Sequence, residues 1–370
     1  MYRYLSIESY HPVTQIKLLW RFPKNSLEFN LTTFYWSTDL ELNQPLVSII
    51  IVNFSGKILL ENCLKSLKNI TYKNYEIILV DNNSNDDSVE FVRNNYPEIT
   101  IIELPKNYGF VRPNNLGAQK AKGQYIFFLN NDTEVTPTFL ENLVKVLDNN
   151  EKIGICQSLL LKPDNSVDSS GDFINSLGIP FSSKERITNQ RKILSAKGAA
   201  LMIRKNLFEK LGMFDEQFVF SFEDVDLGWR SWIYGYEVVL VPNSIVYHIG
   251  GSTIKKVDIN IDFHGAKNHL IMKITNFEGK SVIKKIFIFL VLYGLRQIRV
   301  WFDYKIKGNT NVTSTKYENR LSKKPNFKEI IKAITWILNN KNYLKKRRDL
   351  NSLNRKNSTK ILEKMSLIIN

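Results

Sequence analysis

The sequence predicts an α/β fold with a mostly parallel sheet, followed by a basic, mainly helical C-terminal extension. The first observation is that continuous apolar, β-branched runs alternate with segments of helical periodicity between residues 45 and 150, as in βαβ crossovers. The second is the charge distribution. Residues 255–370 hold 26 basic and 8 acidic side chains, a net charge of +18, whereas residues 1–254 carry −3. A composition of 43% hydrophobic and 24% charged residues excludes a disordered, collagen-like or polytopic membrane protein.

The predicted elements follow one another in a regular order. Val47–Asn53 (VSIIIVN) is a run of the kind that forms a strand buried on both faces. Ser55 is expected to cap the next helix, which carries Leu60, Leu64 and Leu67 on one side. The further predicted strands are Tyr75–Asp81, Ile99–Leu104, Gln124–Asn130, Ile153–Ser158, Ala199–Ile203, Glu237–Val241 and Ile245–Ile249. The further predicted helices are Asp86–Asn95, Asn114–Lys122, a segment that opens at Pro137, Lys205–Leu211 and Glu223–Tyr234.

Three regions are expected along the chain: residues 1–44, to which no role is assigned, an α/β domain at 45–255, and the basic region at 256–370. A turn-like break at Asn43-Gln44-Pro45 separates the first two. Cys63 and Cys156 cannot form a disulfide framework, which favours a reducing compartment. No secretory signal is evident at the N-terminus, and no run approaches the roughly 20 apolar residues of a membrane-spanning helix.

Polar residues follow several of the predicted strands. Asn53 and Asp81 end the first two strands, and Asn130-Asn131-Asp132 ends the fourth. In parallel sheets, ligands bind in the crevice outside the carboxyl ends of the strands. The sequence therefore predicts a binding crevice lined by these polar side chains.

Nine motifs between Val47 and Thr253 occur together in an order and spacing that identify a family. They are VSIIIVNFSG, LVDNNSNDDS, NYGF, NNLG, FFLNNDTEV, GAALMIR, GMFDEQF, FEDVDLGWR and VYHIGGST. On these motifs the chain resembles the family 2 glycosyltransferases, especially their rhamnosyltransferase-like branch. The resemblance implies a Rossmann-like GT-A fold and the transfer of a sugar from a nucleotide-sugar donor to an acceptor hydroxyl. It leaves residues 1–44 and most of 256–370 unmatched.

By this resemblance, five residues are expected to bind the donor: Asn53, Asp81, Asn107, Asn115 and Asn131. A carboxylate such as Asp81 can accept hydrogen bonds from a nucleobase imide or a ribose hydroxyl. Glycines close to Asn107 and Asn115 allow the backbone to approach a ligand closely. Local turn formation is the alternative role, since aspartate and asparagine favour turns. The donor is expected to be a UDP-, GDP- or dTDP-linked sugar.

The trio Asn130-Asn131-Asp132 stands where the family carries an acidic D-x-D motif. The resemblance implies that Asp132, with His248 of VYHIGGST, binds Mg²⁺ or Mn²⁺ together with the donor diphosphate. Such a cation neutralises the charge that develops on the departing nucleoside diphosphate. Because only Asp132 of the trio is a carboxylate, we expect weak metal binding in the absence of donor. The alternatives are a polar strand end and a hydrogen-bonded core histidine.

The motif FEDVDLGWR contains three acids within four residues, Glu223, Asp224 and Asp226. Inverting transfer needs a base that takes the proton of the acceptor hydroxyl while its oxygen attacks the anomeric carbon. The resemblance implies that Asp224 is this base and that Glu223 and Asp226 orient it or bind the acceptor. Repulsion among the three carboxylates would raise a pKa toward the working pH. Capping of a helix N-terminus is the alternative role.

The basic C-terminal region favours an anionic partner, and we expect a membrane surface rather than nucleic acid. The basic run Lys345–Arg348 and the apolar segments Ile286–Leu295 and Ile330–Leu338 suit a lipid interface, and no nucleic-acid-binding module is recognisable. A glycan or lipid-linked acceptor at the cytoplasmic face of the cell membrane is the matching hypothesis.

Two alternatives to glycosyl transfer remain. A sugar-nucleotide pyrophosphorylase should carry a glycine-rich, arginine-containing loop after the first strand, where this chain has Asn53-Phe54-Ser55-Gly56. A non-catalytic binding protein on the same fold is the second alternative. The low acidity of Asn130-Asn131-Asp132 leaves it open, whereas the complete acidic motif at Glu223–Asp226 argues for catalysis.

Overall fold

The computed structural model describes residues 5–10, 13–18, 44–175, 177–250, 260–279, 281–307 and 326–352. The chain divides into two compact units, residues 1–44 and 45–370. In the first unit, β1 (Leu5–Tyr10) and β2 (Val13–Leu18) form an antiparallel pair. The second unit runs on without division past residue 255, so the basic region belongs to the same compact body as the α/β domain.

The second unit alternates strands and helices over its first part, up to residue 125, as the sequence predicts, whereas the described residues between 153 and 204 form six strands in succession. Its strands are β3 (Val47–Asn53), β4 (Tyr75–Asp81), β5 (Thr100–Glu103), β6 (Tyr125–Asn130), β7 (Thr133–Val135), β8 (Ile153–Leu161), β9 (Val167–Ser169), β10 (Asp172–Ile174), β11 (Pro180–Ser182), β12 (Arg191–Lys192), β13 (Ala200–Arg204) and β14 (Glu237–His248). Its helices are α1 (Lys57–Lys68), α2 (Ser88–Asn95), α3 (Val111–Lys120), α4 (Phe139–Asn149), α5 (Lys205–Lys210), α6 (Glu223–Ile233), α7 (Ile261–Asn276), α8 (Ser281–Lys307), α9 (Phe327–Asn339) and α10 (Lys341–Ser352).

Three local predictions need correction. Ser55 does not cap α1: its φ is +48°, and its hydroxyl donates to Asn85 Oδ1 at 2.7 Å, while Gly56 occupies the cap position. The helix expected to open at Pro137 begins at Phe139. The two strands predicted between residues 237 and 249 form the single strand β14. An irregularity in its pairing between Val241 and Ile245 lets the strand continue past a proline, which cannot donate to the ladder.

The central sheet has the strand order β12-β14-β8-β13-β6-β3-β4-β5. Strands β6, β3, β4 and β5 pair in parallel, and so do β14 and β8. Strand β13 is antiparallel to both β6 and β8, so the two parallel groups point in the same direction. The carboxyl ends of these six strands therefore meet at one edge of the sheet, and β13 begins at that edge. We call it the carboxyl edge.

The sheet is buried on both faces. In β3, Ile50 packs into one hydrophobic cluster and its neighbours Ile49 and Ile51 into the other, with all three fully buried. This alternation explains why the strand reads as a continuous apolar run. Helices α1 and α4 cover one face, and α3 and α6 cover the other.

The C-terminal helices pack onto the α/β domain. Ile271 of α7 and Leu344 of α10 belong to the hydrophobic cluster on the face covered by α3 and α6. Arg347 of α10 is buried in ion pairs with Asp226 of α6 and with Asp215. The expectation that the run Lys345–Arg348 faces a membrane is therefore wrong for Arg347, because its guanidinium lies inside the protein.

Candidate active site

The carboxyl edge gathers five of the predicted site residues. Asn53 ends β3, Asp81 ends β4 and His248 ends β14, while Asn131 and Asp132 directly follow β6. These five residues lie on the same side because the four strands β3, β4, β6 and β14 run in the same direction. The topology thus brings together residues that are separated by up to 195 positions in the sequence.

A chain of hydrogen bonds connects the predicted donor residues. Asn131 Nδ2 donates to Asn53 Oδ1 at 2.7 Å, and Asn53 Nδ2 donates to Asp81 Oδ1 at 3.4 Å. The backbone N–H and the hydroxyl of Ser84 both donate to the Asp81 carboxylate. Asp81 therefore fills the local turn role that the sequence also allowed, and at the same time it is fixed beside Asn53 at the carboxyl edge. Gly56 lies against this chain, since a Cβ there would be 2.5 Å from Asn131 Nδ2.

The structure separates the other two predicted donor residues. Asn107 Oδ1 accepts from Asn82 Nδ2 and from the N–H of Gly109, each at 2.8 Å, so Asn107 shapes the loop beside β4. Asn115 lies within α3 with its amide paired to the backbone of Phe214 in both directions, at 2.8 and 3.1 Å. Because these bonds tie Asn115 to the protein interior, we correct its assignment from donor binding to the joining of α3 to the segment before α6.

Asp132 and His248, the two residues predicted to bind a metal, lie side by side. His248 Nε2 is 3.3 Å from Asp132 Oδ1, and His248 Nδ1 is 2.7 Å from Asp168 Oδ2. A histidine that binds a metal through one ring nitrogen usually has a carboxylate, a carbonyl or a water on the other, and Asp168 provides such a carboxylate for His248. Across the described residues, no group of three or more His, Cys, Asp or Glu side chains is arranged to hold a metal by itself.

The acidic motif opens α6 directly at Glu223. The preceding residues Val219, Ser221 and Phe222 have φ values of +53°, +73° and +67°, which are strained for side chains other than glycine. Asn268 of α7 stabilises this segment, because its Nδ2 lies within 2.9 Å of the carbonyl oxygens of residues 218, 220 and 221. The strained segment turns the chain so that the first residues of α6 carry the acids.

Asp224 is tied to the carboxyl edge through the residues that precede β13. Its Oδ2 accepts from the N–H of Gly198 at 3.3 Å. Ala199 directly follows Gly198. Its carbonyl accepts a hydrogen bond of 3.1 Å from the N–H of Asn130, the last residue of β6. Asp224 and Asn130 are thus held by the same short segment. The three carboxylates of Asp81, Asp132 and Asp224 therefore lie along one edge of the sheet.

Lys197 and the buried carboxylates of Asp172, Glu223 and Asp224 form one group of interacting charges near this point. Burial and, to a smaller extent, the charge of Asp224 together raise the pKa of Glu223 to about 8. Burial also raises the pKa of Asp172, opposed by Lys197 and reinforced by Asp224. The Nζ of Lys197 is 2.9 Å from Asp172 Oδ2. The raised pKa favours the neutral, protonated form of Glu223.

Asp226 faces away from the carboxyl edge. It has no exposed surface, and it accepts hydrogen bonds from Arg230 Nε at 2.8 Å, from Asn276 Nδ2 at 3.1 Å and from Arg347. The prediction that Asp226 binds the acceptor is therefore wrong, because its carboxylate is enclosed by cations and amides of the protein itself. Its role is to anchor α6 to α7 and α10.

Residues 48–212 match the family model described as glycosyl transferase family 2. These residues form a family 2 glycosyltransferase domain. The O-antigen biosynthesis protein RfbC of Myxococcus xanthus is 31% identical over 223 residues, which are 55% of this chain and 17% of that protein. The N-acetylglucosaminyl-diphospho-decaprenol L-rhamnosyltransferase of Mycobacterium tuberculosis is 26% identical over 229 residues, covering 54% of this chain and 75% of that enzyme.

The match spans less than half of some relatives, since it covers 46% of an uncharacterised glycosyltransferase of Haemophilus influenzae. Among solved structures, the mannosyltransferase PcManGT of Pyrobaculum calidifontis, in complex with GDP-Man and Mn²⁺, superposes with a TM-score of 0.51 at 14% identity, over 88% of this chain and 87% of that one. GalNAc-T7 with UDP, GalNAc and Mn²⁺ gives 0.50 at 19% identity, over 66% and 54% of the two chains. The family 2 glycosyltransferase domain therefore has the GT-A fold, as the sequence predicted.

Sequence reasoning missed several residues of the glycosyltransferase domain that shape the site. Asp168 and Asp172 belong to the polar run DSSGD between predicted strands, a signal that could have drawn attention to them. Asn82 and Ser84 stand within the motif LVDNNSNDDS but were passed over in favour of Asp81. Lys197 precedes GAALMIR and has no local pattern that identifies it. Its importance follows from its contact with Asp172.

Proposed function

We propose that this chain is an inverting glycosyltransferase that transfers a sugar from a nucleotide-sugar donor to an acceptor hydroxyl, with Asp224 as the general base. In this reaction Asp224 takes the proton of the acceptor hydroxyl, and the freed oxygen attacks the anomeric carbon from the face opposite the leaving group. The bond between that carbon and the nucleoside diphosphate breaks, and the carbon inverts its configuration. No covalent intermediate with the protein forms.

The observation that carries this proposal is the shared anchoring of Asp224 and Asn130, the last residue of β6, which Asn131 and Asp132 directly follow. The segment at Gly198 and Ala199 holds Asp224 on one side and Asn130 on the other. A donor bound over Asn53, Asp81 and Asn131 would therefore lie beside the base. Burial and the charge of Asp224 raise the pKa of Glu223 to about 8, which favours the neutral form of Glu223 beside the proposed base.

Asp132 and His248 fit a divalent cation that is shared with the donor. They offer one carboxylate and one imidazole. Asp168 orients the imidazole through its contact with His248 Nδ1, the ring nitrogen that points away from Asp132. Because this set is small, oxygens of the donor diphosphate have to complete the coordination shell. Mg²⁺ or Mn²⁺ held there would neutralise the charge that develops on the departing nucleoside diphosphate.

The names of the relatives support a lipid-linked or cell-surface glycan as the acceptor. One is named a decaprenol-linked rhamnosyltransferase. Another, from Campylobacter jejuni, is named GalNAc(5)-diNAcBac-PP-undecaprenol beta-1,3-glucosyltransferase and is 33% identical over 105 residues, 27% of this chain and 34% of that enzyme. We propose an acceptor of this class at the cytoplasmic face of the membrane. The family match favours glycosyl transfer over the pyrophosphorylase alternative.

Asp224→Asn tests the proposal. Nucleoside diphosphate release is measured with UDP-, GDP- and dTDP-sugars, Mn²⁺ and polyprenyl-diphosphate-linked acceptors, and donor binding is measured by calorimetry. We expect the variant to lose about 10²- to 10⁴-fold in turnover and to keep the donor affinity of the wild type. Asp164→Asn, which changes an exposed carboxylate, is the matched control and should behave as wild type.

Full turnover in the Asp224→Asn variant would remove the base assignment. A wild-type protein that binds donors but releases no nucleoside diphosphate with any of them would support a non-catalytic binding protein instead. The small acidity of the stretch Asn130–Asp132 is the feature that favours this second function.

A further inference from the structure

The outer face of α8 is apolar and basic. Nine apolar side chains of this helix are 36–74% exposed: Ile283, Phe287, Val291, Leu292, Leu295, Ile298, Trp301, Phe302 and Ile306. The other described side chains in the exposed class on α8 are Lys284, Arg299 and Lys305. Among the side chains that the structure describes on this helix, none of the exposed ones is acidic or neutral polar. We call this surface the α8 outer face.

The inner face of the same helix fixes its orientation. Phe289 and Tyr293 are buried in a hydrophobic cluster with Ala266 of α7 and Ala333 of α9. Phe289 also stacks on the ring of His269 with a centroid distance of 4.3 Å. Because the helix is anchored by these contacts, the nine apolar side chains are held outward by the fold. A helix that met only water on this side would carry polar residues there.

We infer that the α8 outer face docks on the surface of an anionic lipid bilayer, with the helix lying parallel to the membrane plane. A helix of 27 residues is about 40 Å long, and its apolar side chains can enter the boundary between headgroups and acyl chains. Trp301 is of the residue type enriched at that boundary. None of the described helices is long and apolar enough to cross a bilayer, so docking here is peripheral.

Charge decides between a membrane and a second copy of the chain. In a symmetric pair formed through this face, Lys284, Arg299 and Lys305 of one copy would meet the same set on the other. An anionic lipid surface instead neutralises all three and also accepts the apolar side chains. This assignment replaces the Lys345–Arg348 run as the predicted membrane contact, since Arg347 is buried in the protein.

Vesicle co-sedimentation of the full chain tests the inference. Vesicles of phosphatidylcholine alone are compared with vesicles that contain phosphatidylglycerol, and folding of each variant is checked by circular dichroism. We expect wild type to bind the anionic vesicles. The variant Phe287→Ser/Leu295→Ser/Ile298→Ser should weaken binding to both kinds of vesicle by at least about 10-fold, because it removes apolar area that would be buried in lipid.

Two variants that remove the same charge from different surfaces test whether binding depends on the basic residues of the α8 outer face or only on the net charge of the protein. Lys284→Gln/Arg299→Gln/Lys305→Gln should lower affinity for anionic vesicles on the order of 100-fold. Lys341→Gln/Lys345→Gln/Lys346→Gln removes the same charge from exposed lysines of α10 and should change it by less than about 3-fold. Equal losses in both variants would overturn the inference.

Two other results would also overturn it. One is a wild-type protein that does not sediment with anionic vesicles. The other is a concentration-dependent dimer in analytical ultracentrifugation that the serine variant abolishes while wild type shows no vesicle binding. The inference does not depend on glycosyl transfer, because Asp224→Asn is expected to bind vesicles as wild type does.

Discussion

Replacing Arg347 by methionine is expected to destabilise the second compact unit strongly, although Arg347 lies in the basic C-terminal region. Its guanidinium is buried and forms ion pairs with Asp226 and Asp215. Methionine keeps the apolar stem but removes the charge. Asp226, which has no exposed surface, would keep Arg230 and Asn276 as its side-chain partners among the described residues.

The magnitude follows from these contacts. Breaking a buried ion pair costs about 3–5 kcal/mol when the partner is left uncompensated. Arg230 still neutralises Asp226, and burial lowers the pKa of Arg347 to about 9, which means that desolvation offsets part of the attraction. We therefore expect the free energy of unfolding to fall by about 3 kcal/mol, near the low end of this range. With an m-value of about 3 kcal/mol/M, the urea midpoint should fall by about 1 M.

The assay is urea unfolding followed by tryptophan fluorescence, for which Trp229 and Trp232 of α6 are buried reporters. Lys346→Met is the matched control, because Lys346 is the exposed neighbour on the same helix and loses the same charge. The free energy of unfolding of Lys346→Met should lie within about 0.5 kcal/mol of the wild-type value, as is usual for surface substitutions. If Arg347→Met unfolds at the same urea concentration as this control, then α10 does not stabilise the α/β domain through Asp226 and the reasoning fails.

Three further predictions concern the site. The raised pKa of Glu223 means that the folded state keeps a proton that the unfolded chain loses above its ordinary pKa. Stability should therefore decline as pH rises from 4.5 to about 8, and Glu223→Gln should flatten this decline in unfolding curves. Gly56→Ala places a methyl group 2.5 Å from Asn131 Nδ2 and should weaken donor binding about 10-fold in calorimetry. Asp168→Asn should weaken Mn²⁺ binding about 10- to 100-fold, measured by calorimetry with nucleoside diphosphate present.

Each of these has an outcome that contradicts it. Parallel pH curves for wild type and Glu223→Gln would mean that Glu223 is ionised in the folded protein. Gly265→Ala is the control for Gly56, since a Cβ there meets nothing within 4 Å, and equal donor affinity in both alanine variants would remove Gly56 from the site. Unchanged Mn²⁺ affinity in Asp168→Asn would show that the imidazole of His248 is not oriented by Asp168.

Much of the fold could be predicted from sequence because its signals are local. The run Val47–Asn53 forms the buried strand β3 with the predicted bounds, since burial on both faces favours a nearly continuous apolar run, in which Ser48 is the one polar residue before the terminal Asn53. Tyr75–Asp81 is likewise a strand with the predicted bounds. Local turn and cap chemistry was less predictable. Ser55 is of a residue type that often caps helices, but its hydroxyl donates a hydrogen bond to Asn85, thirty residues away.

The residue types of the candidate site could also be predicted, but their partners could not. Asp132 and His248 were paired from motifs and do lie 3.3 Å apart. Asp168 binds the other side of the imidazole across 80 residues of sequence, and no periodicity indicates such a contact. Asn115 lies in a motif that is typical of a ligand-binding loop. In the folded protein, however, its side-chain amide forms hydrogen bonds with the backbone of Phe214.

The sequence by itself determined the order of strands and helices, the family 2 motifs and the polar carboxyl ends of the strands, because these depend on neighbours close in the chain. Tertiary structure decided which acids face the carboxyl edge and which are enclosed. Asp224 and Asp226 stand two positions apart on one helix, but one meets Gly198 at the edge and the other meets Arg347, 121 residues later. That difference arises from which segments pack around α6, and this is fixed only when the chain is folded.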